Sequence, residues 1–290
     1  MVPEPLRLTR ASEWAAKRRG RMLTSFLEGP SFDREGNFFC VDIAHSRLLK
    51  VAPDLQWSVF AEYDGEPCGL KIHRDGRIFV ADSKYGILSF DPVTASRRVV
   101  VDGFGADRFK GLNDLTFSAN GDLCFTDMGP SSLGDPTGRV FRLRASGTLD
   151  LLFSGLEGPN GLVLNNSEDV LFVAVTRANR IVRLPLLPDY GGVTKAGIFI
   201  QLSGGPAGPD GMALDEEGNL AIVHGMSDST WLFSRLGEPL FRIRSCAGAG
   251  CTNVAYGGPD RKTLFITEAG QGAILKVDLP TPGKLTYALG

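Results

Sequence analysis

A short pattern recurs six times along this chain, and nothing else in the sequence limits its fold as strongly. A Gly- or Asp-bearing turn leads into an apolar run that ends on a polar or charged residue. It appears at Asp33-Arg34-Glu35-Gly36 before Phe38 to Asp42, and at Arg74-Asp75-Gly76 before Ile78 to Asp82. Further copies precede Leu123 to Asp127, Leu171 to Val175, Leu220 to His224 and Leu264 to Glu268. With Phe38, Ile78, Leu123, Leu171, Leu220 and Leu264 as the common position, successive spacings are 40, 45, 48, 49 and 44 residues. A period in that range marks a stacked or radial repeat, because one unit cannot cover its own apolar faces.

Each unit reads as an apolar run, a tight turn, a second apolar run and one or two weaker alternating segments, for example Arg139 to Leu143 and Leu149 to Leu152. The expectation is an all-β, six-bladed β-propeller with four-stranded blades and a short N-terminal helix over Ser12 to Arg19. Residues 1–26 form a lead-in or cap and 27–290 one propeller domain. The last outer strand comes from Leu285 to Leu289 or from Arg21 to Ser25, which the pattern leaves open.

Ten or eleven residues before the common position stand Glu28, Cys68, Asn113, Asn160, Asp210 and Asn253, each opening the first strand of its blade. First strands line a propeller's channel, so these residues converge on the axis. All but Cys68 carry oxygen donors. Buried carboxylates this close raise each other's pKa unless a cation satisfies them. Glu28 and Asp210 supply charge, and Asn113 and Asn160 neutral carbonyls. The set predicts one divalent metal ion, Ca²⁺ first, with Mn²⁺, Mg²⁺ or Zn²⁺ also able to occupy oxygen ligands. A second column, Asp42, Asp82, Asp127, Val175, His224 and Glu268, ends the second strands on the same rim. Asp42 and Asp82 are expected to hold backbone amides. His224, suited to proton transfer near neutral pH, is a substrate-contact candidate along with Asn253, Cys68, Asp127 and Lys110.

The balance of 31 Lys plus Arg against 33 Asp plus Glu, net −2, gives no basic field for a nucleic-acid backbone or an anionic membrane. The start, Met1 to Arg21, is basic without the apolar centre of a signal peptide, and no stretch is apolar enough to span a bilayer. A cytoplasmic protein with a small-molecule partner is expected. Oligomeric state is not encoded in these patterns.

Glu28-Gly29-Pro30, Asn113-Asp114, Asn160-Gly161, Pro209-Asp210-Gly211 and Thr252 to Asp260 together resemble the senescence-marker-protein/gluconolactonase family of regucalcin-like lactonases, over Leu27 to Leu279. The resemblance implies a metal held by Glu28, Asn160 and Asp210 with Asn113 in or beside the set, and Asp210 as general base. The same column is similar to the calcium sites of paraoxonases and diisopropyl-fluorophosphatases. Sugar-lactone members carry an Arg where this chain has Gly111, preceded by Lys110. The expected activity is metal-dependent lactone opening, with Asp210 and Asn113 as catalytic residues and water as nucleophile. The alternatives are a phosphotriesterase-type hydrolase and a non-catalytic calcium-binding propeller. No Gly-Xaa-Ser-Xaa-Gly nucleophile motif is present.

Overall fold

The computed structural model of the protein describes residues 1–17, 23–187 and 192–290. Each repeat folds into an antiparallel sheet whose strands follow chain order from the axis outward. The first blade is Leu27–Phe32, Phe38–Asp42, Arg47–Val51 and Trp57–Glu62. The inner strands of the other five are Pro67–Ile72, Leu112–Phe117, Pro159–Leu164, Pro209–Leu214 and Cys251–Gly257. Each inner strand packs on the next, and the sixth packs on the first, so the ring closes. Second strands such as Phe38–Asp42, Ile78–Asp82 and Leu123–Asp127 are buried at every residue, since both faces are covered by neighbouring blades. The cores therefore lie between blades, as in the cluster joining Phe79, Ile87, Leu112, Phe125 and Phe141.

Among the described residues five blades have four strands or more, and the sixth differs from expectation. It has three, Cys251–Gly257, Thr263–Glu268 and Ala273–Asp278, and Leu285–Leu289 adds none. Leu23 to Ser25 form no strand, and Arg21 lies outside the described residues. Instead Val2, almost fully buried among Leu27, Phe38, Leu49 and Ile274, donates its N–H to the Gly272 carbonyl at 2.8 Å. The N-terminus thus wedges between the last blade and the first. The helix is one turn, Glu13–Ala16, capped by Ser12 Oγ accepting from the Ala15 N–H at 3.1 Å. Arg18 and Arg19 of the expected helix are outside the described residues.

The C-terminal segment crosses the underside of the ring. Lys284 Nζ donates to the Asn165 carbonyl (2.9 Å) and Glu168 Oε1 (2.8 Å) in the fourth blade. Tyr287 lies under the Arg74 guanidinium, 4.3 Å from ring centre to Cζ. Arg34 of the first blade reaches the carbonyls of Ala288 and Gly290 at 2.9 and 2.8 Å. Above it, the lower half of the channel is an apolar cavity of about 190 Å³. Among the described residues no helix is long and apolar enough to cross a membrane.

Candidate functional site

All six blades break register at the same place. The ladder between first and second strands is regular until it reaches the upper rim, where a bulge intervenes: between Glu28 and Ser31, Pro67 and Gly69, Leu112 and Leu115, Pro159 and Leu162, Pro209 and Met212, and Cys251 and Val254. A bulge re-aims the side chains of the doubled residues. Glu28, Cys68, Asn113, Asn160 and Asp210 each sit in this position, and the structure brings them together around the axis.

The sixth blade corrects the sequence alignment by one residue. Its inner hairpin carries one extra rung, Gly257 opposite Thr263, so counting back from the apolar run stops one residue short. Thr252 is the residue equivalent to Asp210, and Asn253 occupies the next level together with Gly29, Gly69, Asp114, Gly161 and Gly211. At that level Asn253 Nδ2 donates to Asp114 Oδ2 at 3.2 Å, from the sixth blade to the third. These blades are opposite, so the bond crosses the axis and floors the ring. Glycine in the other blades makes room for it. A β-carbon on Gly211 would lie 2.0 Å from Asn253 Oδ1, and one on Gly69 would lie 2.7 Å from Asp114 Oδ1.

Hydroxyls lock the bulges to the neighbouring blades. Thr126 Oγ1 accepts from the Asp114 N–H (3.1 Å) and donates to the Asn160 carbonyl (2.8 Å). Thr176 Oγ1 donates to the Pro209 carbonyl at 2.7 Å, and Thr252 Oγ1 to the Leu27 carbonyl at 2.7 Å. The amide nitrogens are committed as well. Asn160 Nδ2 donates to Thr176 Oγ1 at 3.1 Å, and Asn113 Nδ2 faces Met128 Sδ at 3.4 Å. With Nδ2 engaged in each, the amide oxygens are the acceptors that the two side chains have to offer, and Asn160 also hydrogen-bonds the Asp210 carboxylate.

Three carboxylates share this small volume. Burial, then the charge of Asp114, pushes Asp210 up to about 8, against the partial relief of an Asn160 contact and the Arg177 guanidinium. Burial, then Asp210 and Asp114, raises Glu28 well above the usual carboxylate range. Burial also raises Asp114, and Lys71 offsets it. Asp210 retains some surface as a residue, yet its Oδ1 is enclosed and has no hydrogen-bond partner. An orphaned acceptor among repelling carboxylates and free amide oxygens is the environment a hard divalent cation relieves. Among the described residues no three His, Cys, Asp or Glu side chains form a metal cage by themselves. The fit here depends on Asn113 and Asn160 joining Glu28 and Asp210. Those four would hold the ion, with Asp114 and Asn253 beneath them.

The second column points away from the axis. Asp42 Oδ1 accepts from the Phe26 N–H at 2.7 Å, and Asp82 takes the amides of Glu66, Lys84 and Tyr85. Asp127, expected from the sequence to contact substrate, is fully buried. Its Oδ1 accepts from the N–H groups of Lys110 and Gly111, and its Oδ2 from Arg139. It is a clamp on the loop before Asn113. His224 is buried under the loop 203–208 with Nε2 against Gly205, and burial lowers its pKa. Lys110 is exposed on the rim, its Nζ 3.3 Å from the Thr137 carbonyl. Cys68 Sγ faces the Glu66 carbonyl at 3.4 Å. The sequence pattern marks Asp114 without giving it a role; its position beside Asn113 at the start of the strand is the available signal. Thr176 and Arg177, on a turn, give none.

A closed six-bladed ring with an oxygen-lined acidic centre at one end of its channel defines the class. Residues 26–270 match the SMP-30/gluconolactonase/LRE-like region, and the chain belongs to that family. It is 35% identical over 271 residues to a gluconolactonase of Zymomonas mobilis, covering 83% of this chain and 75% of that protein. It is 28% identical over 233 residues to the lactonase drp35 of Staphylococcus aureus, covering 75% and 69%. Among solved structures, the calcium-binding protein regucalcin from Agrobacterium tumefaciens superposes with a TM-score of 0.79 at 21% identity, covering 90% of this chain and 92% of that one. The last likeness shows the fold.

Proposed function

We propose that the protein is a metal-dependent lactonase that opens a cyclic ester with water at the upper end of its channel. The observation that carries the reading is the enclosed, unpartnered Asp210 Oδ1 among Glu28, Asn113 and Asn160. Gluconolactonase and lactonase relatives support the reaction class. When bound, the divalent ion, Ca²⁺ by preference for this all-oxygen set, supplies a Lewis acid for the ring carbonyl. The protein's own part is positioning and proton transfer. Asn113 and Asn160 offer amide oxygens without adding charge, and the hydrogen bonds of their nitrogens hold the side chains in place. Asp210, deprotonated once the cation is bound, takes the proton of the attacking water and returns it to the ring oxygen as the C–O bond breaks. The product is a hydroxy acid. Glu28 keeps the site acidic enough to hold a cation, and the Asp114–Asn253 bond fixes the level at which everything sits.

The test uses chelator-stripped protein on a panel of sugar lactones, apolar γ- and δ-lactones and one phosphotriester, with Ca²⁺, Mn²⁺, Mg²⁺ or Zn²⁺ restored singly. Metal-restored lactone turnover is expected. Turnover confined to the phosphotriester assigns the site to the other hydrolase class. Metal binding with no turnover on any ester moves the protein to a binding role.

A further inference from the structure

The upper rim is studded with basic residues, and nearly all are neutralised. Arg47 pairs with Asp42, Lys84 with Asp64, Arg139 with Asp127, Arg180 with Glu157, and Arg244 with Asp228. Arg177 is different. It is exposed on the 3₁₀ turn Thr176–Ala178, directly after the residue that holds Asn160, and has no ion pair or side-chain hydrogen bond among the described residues. The nearby carboxylate, Glu157, is already occupied at both oxygens by Arg180, at 3.0 and 2.8 Å.

Its stem lies over the site. A β-carbon on Gly158 would fall 2.8 Å from Arg177 Cγ and 3.3 Å from Met128 Cε, and the sulfur of that same Met128 touches Asn113. On the other side of Met128, Lys110 packs on Gly129, and among the described residues its Nζ bonds only the Thr137 carbonyl. Two cations without carboxylate partners therefore flank one methionine at the mouth, on the side of the third and fourth blades. A guanidinium has donors and no acceptor, and a carboxylate matches its fork with two charge-assisted bonds. Asp210 feels the Arg177 charge without a hydrogen bond to it, so two cations whose donors bind no carboxylate, among neighbours that are ion-paired, leave a site for an anion.

We infer that the lactone turned over here carries a carboxylate on its ring, held by Arg177 with Lys110 behind it, while the ring carbonyl faces Asp210 and the asparagines. This rests on the lactonase reading and names its substrate class. Arg177 also stands on a different blade from Gly111, where sugar-lactone members of the family place their arginine, so the cation approaches the ring from another side.

The experiment compares γ-butyrolactone with the same ring bearing a γ-carboxylate, as kcat/KM at saturating Ca²⁺, for wild type, Arg177→Gln, Arg177→Lys and Lys110→Gln. Wild type is expected to prefer the carboxylated ring by about tenfold or more, the worth of a charge-assisted pair. Arg177→Gln removes most of that preference through KM, Arg177→Lys restores part, and Lys110→Gln costs less. Added salt compresses the preference in wild type and not in Arg177→Gln. An equal preference in wild type and Arg177→Gln, with matching thermal midpoints, overturns the inference. Binding of the lactam 5-oxopyrrolidine-2-carboxylate, set against 2-pyrrolidinone, separates the two layers. Arg177-dependent binding of the acid with no lactone turnover overturns the lactonase reading and keeps the anion site. Lactone turnover with no Arg177 dependence in either assay does the reverse.

Discussion

A proton and a divalent cation compete for Asp210, and the competition can be weighed. With its pKa pushed to about 8, Asp210 in the metal-free protein is protonated in about nine molecules of ten at pH 7. Loading the site must expel that proton, so each ion bound at pH 7 should release about one proton. Apparent affinity should rise about tenfold, or about 1.4 kcal/mol, per pH unit between roughly pH 6 and 8, and flatten above. Glu28, raised in the same direction, can only steepen the slope. Calorimetry of Ca²⁺ binding to chelator-stripped protein measures this directly, in paired buffers of different ionisation enthalpy at pH 6, 7 and 8. Heats that do not depend on the buffer, together with one affinity at all three values, would refute the idea that Asp210 receives the metal.

The same group sets a sign for stability. Its carboxyl holds a proton more tightly folded than unfolded, so its contribution to the stability of the stripped protein is full below about pH 4 and is lost as pH rises toward about 8; the difference in urea midpoint between wild type and Asp210→Asn should change with pH in that sense. Asp210→Asn should also abolish lactone turnover at saturating metal, and retained turnover would move the base elsewhere. Asp114→Asn, which touches no proposed ligand oxygen directly, should still weaken metal affinity about 10- to 100-fold, with Glu28→Gln weakening it at least as much; equilibrium dialysis would show whether either leaves it unchanged. Gly211→Ala would drive a methyl to within 2.0 Å of Asn253 Oδ1 and 2.5 Å of its Cα. A loss of roughly 1–3 kcal/mol is expected from such overpacking, and an unaltered melting temperature would mean that the floor can shift.

Much of the ring and its centre is legible in the residues alone. The sixfold period demands a ring because Ile78 to Asp82 or Leu123 to Asp127, apolar on both faces, cannot be covered within one sheet. Glu28, Asn113, Asn160 and Asp210 stand out because a polar residue recurs where an apolar strand begins. What stays hidden depends on direction and on distance along the chain. Asp127 and Glu28 occupy equally regular columns, yet the clamp of Lys110 and Gly111 amides turns Asp127 outward, and spacing carries no sign of that. Asn253 slips by one because an extra rung looks like an ordinary residue in a linear count. Asp114 gains its meaning from a partner 139 residues away. The contact of Val2 with the edge of the sixth blade, which has three strands among the described residues, is equally invisible, since it rests on one buried side chain and a single N–H.

A propeller open at both ends is a pipe, and this one is a well. The Asp114–Asn253 bond lies across the shaft just below the working level, and the last residues, strapped by Arg34 and Lys284, lie across the bottom. Traffic must then be two-way through one mouth. On the proposed reading, a hydroxy acid made at the axis would leave by the path its precursor took, past the same guanidinium. Each turnover of a carboxylated ring would end with an anion more highly charged than the one that entered, passing the cation that drew it in. The exit, rather than the chemistry at the floor, is where such a molecule would be slowed.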